Sequence, residues 1–213
     1  MASVNSISAD SVSCLRRLVI VSYNLRGFNQ GSHGIKDLVS TLMPDVIMVQ
    51  EHWLTPDNLC KLNDLSTNYF VYGSSAMTDC VSAWPLRGRP FGGTAIMVNK
   101  TLASVTTNLI TSNRFTAIRI DNWLLVTVYM PCVGTDDRSL LYDDTLSELD
   151  SLGLLATHSD CHCVIGGYFN TDLNCNVNVA VNNFISSNNL CRCDTSVIFV
   201  LVYFFVLVLP VIF

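Results

Sequence analysis

Four short apolar runs in this sequence each end on a polar residue whose side chain could take part in chemistry. These residues are Asn24 in SYN, Glu51 in QEHW, Tyr129 in VYMP and Asn170 in GGYFN. Strand ends that meet at one edge of a sheet are common places for sites, because a buried strand holds its terminal side chain rigidly. The opposing interpretation is that polar residues end strands wherever water begins. The four residues taken together favour a site.

Tyr168 occupies the middle of GGYFN, shortly after the apolar run Cys163-Val164-Ile165. A phenol at a strand end can donate a hydrogen bond and stack on another ring, but it is neutral at pH 7. A carboxylate in the same place would be charged and could accept a proton. The residue type at position 168 therefore decides which chemistry this strand end supports.

The elements that would position these residues can be predicted from the spacing of apolar side chains. Short apolar or β-branched runs predict strands. These runs cover residues 18–21, 46–49, 69–72, 94–98, 103–109, 115–120, 124–128 and 163–165. Apolar residues at helical spacing predict helices. These helices cover residues 34–43, 55–65, 136–155 and 177–186, with Pro44 ending the first. The order predicts an α+β fold with two packed mixed sheets and helices outside.

The charge balance bears on the class of partner. The chain carries a net charge of −5, so no overall positive field attracts it to nucleic acid. A nucleic-acid partner would need a local basic patch, and Arg87 and Arg89 in the loop WPLRGRPFGG are the best candidates. The alternative is that both are ordinary solvated loop arginines.

Cysteine usage bears on compartment and on zinc. The chain has nine cysteines and a polar, Ser-rich start without an apolar signal core, which predicts free thiols and no secretion. Potential zinc ligands are Cys161, Cys163, Cys191, Cys193, His158 and His162. The C-x-C spacing closes poorly on one tetrahedral ion, because zinc sites typically use C-x(2–4)-C. The thiols are therefore interpreted as free.

Five motifs carry a family resemblance, and they follow one another in the order SYNLRG, IMVQEHWL, GRPFGG, VTVYMPC and IGGYFNTDLN. They resemble the successive motifs of the endonuclease/exonuclease/phosphatase family, and especially those of the apurinic-endonuclease-like domains of non-LTR (LINE-type) retrotransposons. The resemblance runs from about Leu18 to Asn174. It implies a four-layer α/β sandwich that hydrolyses phosphodiesters of DNA with one or two Mg²⁺ ions, or with Mn²⁺ instead. It also implies that Arg87 and Arg89 face the DNA.

The resemblance further implies roles for the strand-end residues. By motif position, Glu51 would be the principal metal ligand, with Asn24 beside it at the metal or the phosphate. Tyr129 would donate to a phosphate oxygen as charge builds in the transition state. Asn170 would orient the phosphate or the attacking water.

Two features depart from the family pattern. The fourth motif is normally G-D-F-N, with an aspartate that activates or positions the attacking water, but here that position is Tyr168. Loss of such a general base typically costs about 10²–10⁴-fold in rate. The family pattern also ends in a strand with Ser-Asp-His, whereas no histidine follows His162 in this sequence. Impaired activity and missing closing strands are expected.

The end of the sequence is an apolar tail, VIFVLVYFFVLVLPVIF, over residues 197–213. We therefore expect a disordered segment over 1–14, an incomplete endonuclease/exonuclease/phosphatase domain over 15–195 and the tail over 196–213. As a helix the tail would span about 26 Å, slightly short of a ~30 Å hydrocarbon core. It is interpreted as read-through sequence, with a membrane anchor as the alternative.

Three functions are compatible with the sequence. The first is a retrotransposon DNA endonuclease with impaired activity and no obligate protein partner. The second is a phosphodiesterase or phosphatase acting on a lipid or inositol head group. The third is a non-catalytic module anchored by its tail. A nuclear or cytoplasmic location is expected for the first function, and a membrane-anchored one is the alternative.

Overall fold

A computed structural model describes residues 18–83, 88–158, 161–170, 179–192 and 205–208. The predicted disordered segment 1–14 and Arg87 lie outside the described residues. The strands are β1 Ile20–Asn24, β2 Val46–Gln50, β3 Tyr69–Ser74, β4 Thr94–Asn99, β5 Thr106–Thr111, β6 Phe115–Ile120, β7 Trp123–Tyr129, β8 His162–Tyr168, β9 Cys191–Arg192 and β10 Phe205–Val208. The α-helices are α1 Phe28–Leu42, α2 Thr78–Ala83, α3 Arg138–His158 and α4 Val179–Ser187, and 3₁₀ helices cover Pro56–Leu65 and Lys100–Val105.

The strands form two mixed sheets. The first has the order β1-β2-β4-β3, and its β1–β2 pair is parallel, with Asn24 opposite Gln50. The second has the order β5-β6-β7-β8-β10-β9, and its β7–β8 pair is parallel, with Tyr129 opposite Tyr168. Each sheet therefore contains one parallel pair whose two carboxyl ends lie side by side.

The sheets pack face to face, and helices cover their outer faces. The core between the sheets is apolar and consists of Val46, Met48, Ile96, Val98, Leu102, Ile118, Ile120, Leu125 and Val164. A second core joins the first sheet to α1 and the 3₁₀ helix Pro56–Leu65, and a third joins the second sheet to α3 and α4. This arrangement confirms the predicted four-layer sandwich of two mixed sheets flanked by helices.

The interface between the sheets turns from apolar to polar toward the carboxyl ends of the parallel pairs. Alternate residues of a strand share one face, so the Gln50 side chain projects toward the second sheet, as those of Val46 and Met48 do. The fully buried Gln50 side chain donates from Nε2 to Thr127 Oγ1 at 2.7 Å and to Ser22 Oγ at 3.1 Å. The bond to Thr127 joins the two sheets directly beneath the strand ends, and the bond to Ser22 links β1 and β2 within the first sheet.

Helix α1 begins at Phe28, six residues before the predicted start at position 34. The backbone N–H of Gly27 donates to the Glu51 carbonyl at 2.7 Å, and that of Phe28 donates to the His52 carbonyl at 2.9 Å. These bonds to the segment after β2 fix the chain at the start of the helix, although FNQGSHG has weak helix propensity. The helix ends at Leu42, within one residue of the predicted end at position 43, and Met43 adopts a left-handed conformation before Pro44.

Two predicted elements differ in type from those observed. The spacing predicts an ordinary helix over 55–65, but Pro56–Leu65 is a 3₁₀ helix, in which the Asn58 N–H donates to the carbonyl of Thr55, three residues back. The strand predicted over 103–109 starts only at Thr106. A 3₁₀ turn precedes it because the Asn99 side chain accepts from the Thr101 N–H.

Part of the apolar tail lies in the second sheet. Residues Phe205–Val208 form β10, which pairs antiparallel with β8 from Gly167 to Val164. The rest of the segment 197–213 lies outside the described residues. Among the helices that the structure describes, none is both long and apolar enough to cross a membrane.

Candidate active site

The parallel strand pairs bring the predicted site residues to one edge of the sandwich. Asn24 ends β1 and Glu51 follows β2, while Tyr129 and Tyr168 end β7 and β8, with Asn170 two residues further on. Asn24 contacts Glu51, Tyr129 hydrogen-bonds Asn170, and the charge of Glu51 acts on Tyr129. The structure therefore gathers these five residues into one cluster, and four of them (Asn24, Glu51, Tyr129 and Asn170) are the strand-end residues of the sequence pattern.

Asn24 holds the Glu51 carboxylate in place. Its Nδ2 donates to Glu51 Oε1 at 2.7 Å, and its Oδ1 accepts from the backbone N–H of Arg26 at 2.9 Å. Because a backbone N–H can only donate, this second bond fixes which end of the amide faces the carboxylate. Asn24 is 4% exposed, so both bonds are shielded from water. In this arrangement Asn24 positions Glu51.

Glu51 lies on a strained backbone. Its φ of 54° is in the left-handed region, where a residue with a Cβ is disfavoured. The conformation is held from both sides, since the Glu51 N–H donates to the Gly93 carbonyl at 2.9 Å and the Glu51 carbonyl accepts from Gly27. Arg26, Trp53 and Asn170 near the site also have positive φ, as do Met43, Asp121, Asp137 and Asn189 elsewhere.

His52 lies beneath Glu51, and sequence reasoning did not single it out. The ring is fully buried, its Nδ1 accepts from the Leu54 N–H at 3.0 Å, and its Nε2 faces the Ser74 carbonyl at 3.0 Å. These partners fix the neutral tautomer that carries its proton on Nε2. Burial lowers the pKa of His52 to about 4. A Cβ added to Gly93 would lie 2.3 Å from the ring, so only glycine fits there.

Tyr129 is a phenol that stays protonated. Burial raises the pKa of Tyr129 to about 12, and the nearby Glu51 carboxylate contributes in the same direction. The hydrogen bond with Asn170 and the positive charge of Arg114 act against these effects. At neutral pH the hydroxyl is therefore a hydrogen-bond donor at the edge of the cluster.

The loops after β7 and β8 are tied together by Asn170 and Arg138. Asn170 Nδ2 donates to the Met130 carbonyl, and the Arg138 guanidinium donates to the Asn170 carbonyl at 3.2 Å and to the Pro131 carbonyl at 3.1 Å. Sequence reasoning missed Arg138, and it missed Arg114, whose pKa is lowered by burial near Tyr129. No motif marks either arginine, although both flank predicted loops next to the site.

Tyr168 fills the position beside Tyr129. The two rings are stacked, with centroids 6.3 Å apart and an interplanar angle of 13°. As cross-strand partners they project from the same face of the second sheet, the face that meets the first sheet. An aromatic ring therefore occupies this strand end, the position at which the resemblance described above leads us to expect a carboxylate.

The donor set around Glu51 suits a hard cation better than zinc. In the part of the chain that the structure describes, no three His, Cys, Asp or Glu side chains lie close enough together to hold a metal ion. Mg²⁺ commonly binds through one or two carboxylates and completes its shell with waters and substrate phosphates. Glu51, held by Asn24 at an edge of the sheets, fits that type of site.

Arg89 lies on the Trp53 side of the cluster. Its guanidinium carbon is 4.1 Å from the centroid of the Trp53 ring, which is within the range of a cation–π interaction. Arg89 itself is exposed. Of the two arginines predicted to face DNA, it is the one that the structure describes.

Solved structures similar to this one show the same fold. A 3′ phosphatase, NExo from Neisseria, bound to a product DNA hairpin, matches with a TM-score of 0.65 and 14% identity over 91% of this chain and 87% of its own. Humanized TDP2 from D. rerio matches with a TM-score of 0.54 and 14% identity over 90% and 81%. An AP endonuclease from Archaeoglobus fulgidus matches with a TM-score of 0.50 and 14% identity over 71% and 56%.

Sequence comparison gives the family. No curated protein matches the chain at a significant level. The family model described as the Endonuclease/Exonuclease/phosphatase family matches residues 21–184, which include every strand end of the cluster. The class of chemistry that the name of this family covers is hydrolysis of phosphate esters. The chain belongs to the Endonuclease/Exonuclease/phosphatase family.

Proposed function

We propose that this chain is the DNA endonuclease domain of a non-LTR retrotransposon and that Tyr168 impairs its hydrolytic step. The observation that carries the proposal is the stacking of Tyr168 on Tyr129 inside an otherwise assembled cluster. The motif order SYNLRG to IGGYFNTDLN supports the retrotransposon assignment. Structural similarity to a phosphatase bound to a DNA hairpin and to an AP endonuclease supports DNA as the substrate.

Glu51 would hold Mg²⁺, which supplies charge neutralisation at the phosphate and lowers the pKa of a bound water when present. Asn24 keeps the Glu51 carboxylate oriented through the 2.7 Å bond to Oε1. Tyr129 presents a protonated hydroxyl to a phosphate oxygen, and its donor capacity persists because its pKa is raised to about 12. Asn170, tied to the loop after β7, limits where the phosphate can lie.

The missing contribution is proton transfer from the attacking water. A general base must lie near that water and accept its proton at neutral pH. A neutral phenol accepts a proton poorly, and the Tyr168 ring is larger than a carboxylate and stacks on Tyr129. Positioning and charge stabilisation therefore remain, while the side chain that would accept the proton of the attacking water is lost. Residual activity of about 10⁻²–10⁻⁴ of that of an intact site is expected.

The proposal is tested by Mg²⁺-dependent nicking of supercoiled plasmid by the full chain. Slow nicking that needs Mg²⁺ or Mn²⁺, stops with a chelator and is lost in Glu51→Gln supports it. Asp57→Asn, at an exposed position of the 3₁₀ helix Pro56–Leu65, is the matched carboxylate-to-amide control and should nick like the unmodified chain. Efficient nicking by the unmodified chain would contradict the claim of impairment. Hydrolysis of a phosphoinositide without action on DNA would contradict the choice of substrate.

A further inference from the structure

A groove of about 360 Å³ lies between the start of α1 and the segment that follows Glu51 after β2. Trp53, two residues after Glu51, forms one wall. The other lining side chains include the cations Lys61 and Arg89 and the amides Asn29, Gln30 and Asn58. Among the described residues that line the groove, none is acidic, although the chain as a whole carries a net charge of −5.

Trp53 fixes the position of Arg89. The indole is half-buried and its backbone N–H donates to the Gly92 carbonyl at 3.0 Å, so the ring is tied to the loop that carries Arg89. Gly27 makes room for the ring, since a Cβ at position 27 would lie 2.4 Å from Trp53 Cε3. Arg89 lies 4.1 Å over the ring. A guanidinium held this way loses less side-chain entropy when it binds a phosphate.

We propose that the groove formed by Trp53, Arg89 and Lys61 binds the backbone of a DNA strand at a phosphate next to the one held at Glu51. The inference rests on the proposed function and deepens it by assigning the strand a path. Two cations and three amide groups supply hydrogen-bond donors, and phosphate oxygens are the matching acceptors. Gly27, which lines the groove, donates its backbone N–H to the Glu51 carbonyl at 2.7 Å, so a strand that lies in the groove lies one residue contact away from Glu51.

The test is binding of the full chain to a fluorescein-labelled DNA duplex, measured by anisotropy across a salt series with chelator present. Arg89→Gln and Lys61→Gln should each weaken binding about eightfold at 0.1 M salt and lower the salt slope by about 0.9. Trp53→Leu should weaken binding as much as Arg89→Gln, and the double variant should be no weaker than either. Lys100→Gln is the matched control, because Lys100 also lies over an aromatic ring, that of Phe70 at 5.2 Å, but outside the groove.

Two outcomes would overturn the inference. If the chain binds DNA and the Arg89 and Lys61 variants match Lys100→Gln in affinity and salt slope, the groove is not the path, while the proposed function stands. If the chain fails to bind DNA but binds vesicles containing a phosphoinositide, and Arg89→Gln abolishes this, the groove takes a lipid phosphate and the proposed function falls as well. Arg89 and Lys61 are both exposed, so their variants should fold.

Discussion

The ring of Tyr168 lies nearly parallel to the ring of Tyr129, with the two centroids 6.3 Å apart. The residues face each other across the parallel β7–β8 pair, so strand register fixes their relation. Tyr129 keeps its proton because burial raises its pKa to about 12. The hydroxyl that can stabilise charge is therefore present, next to a residue that cannot take a proton from water. At this point the geometry of the strand ends is formed, but the residue type at position 168 does not supply a proton acceptor.

Replacing Asn24 by aspartate is expected to destabilise the chain at pH 7 and make its stability depend on Mg²⁺. The change keeps the shape but replaces the donor to Glu51 Oε1 with a second negative charge at hydrogen-bond distance. Loss of the buried bond should lower the free energy of unfolding by about 1–3 kcal/mol. Mg²⁺ at about 100 times its Kd would return about 2.7 kcal/mol by mass action.

Thermal unfolding with and without Mg²⁺ measures both effects of Asn24→Asp. Asn63→Asp, on the exposed side of the 3₁₀ helix, adds the same charge away from the site and should respond little to Mg²⁺. Equal melting temperatures for the unmodified chain and Asn24→Asp, with and without the ion, would show that Asn24 and Glu51 do not act as a pair.

Acidification is expected to destabilise the fold through His52. Its folded pKa is about 4, below the ordinary value of 6.5, so the unfolded chain binds more protons between these pH values. The stability that neutral His52 contributes to the fold is fully present above about pH 6.5 and is lost progressively as the pH falls toward 4. The expected loss by pH 4 is up to about 3 kcal/mol in the free energy of unfolding.

Urea unfolding at pH 7, 6, 5 and 4 checks this, with His52→Gln as the variant that removes the titration. The variant should be less stable at pH 7 yet show a shallower decline between pH 6.5 and 4. Parallel declines for the two proteins would mean that other groups, and not His52, set the acid sensitivity.

Gly93→Ala should cost considerably more stability than Gly134→Ala. Both glycines have similar positive φ values, 86° and 89°, so the strain that a Cβ would meet at this φ is matched at about 1–2 kcal/mol. An added Cβ at 93 lies 2.3 Å from the buried His52 ring, whereas nothing lies within 4 Å at 134. We expect a total of about 2–5 kcal/mol for Gly93→Ala. Equal decreases in the free energy of unfolding of the two variants, measured by chemical denaturation, would show that the His52 ring can move aside at no cost.

Much of this fold follows from local patterns. Buried β-branched runs identify most strands of both sheets. Alternate residues of a strand project from the same face, so Gln50 lies on the face of Met48 and Tyr129 on the face of Leu125. The polar residues at these strand ends can therefore be assigned to one cluster. Apolar spacing finds α3 and α4 to within a few residues. These features depend on near neighbours in sequence, which is why they can be predicted.

The remaining features depend on contacts between distant segments. Arg138 is positioned by the carbonyl of Asn170, 32 residues away, and His52 by that of Ser74, 22 residues away. The early start of α1 at Phe28 similarly depends on a bond to the segment after β2. The pairing of Phe205–Val208 with β8 depends on the free edge of β8, which the sequence near residues 205–208 does not reveal.

The rate of DNA hydrolysis by Tyr168→Asp, relative to the unmodified chain, tests the central claim most directly. Both proteins would be assayed on the same supercoiled plasmid with Mg²⁺, with Tyr168→Asn as the control that removes the ring without supplying a base. An increase of about 10²-fold or more for Tyr168→Asp alone is expected, lost again when Glu51→Gln is added. Equal rates for the unmodified chain, Tyr168→Asn and Tyr168→Asp would contradict the claim that a missing carboxylate at position 168 limits this site.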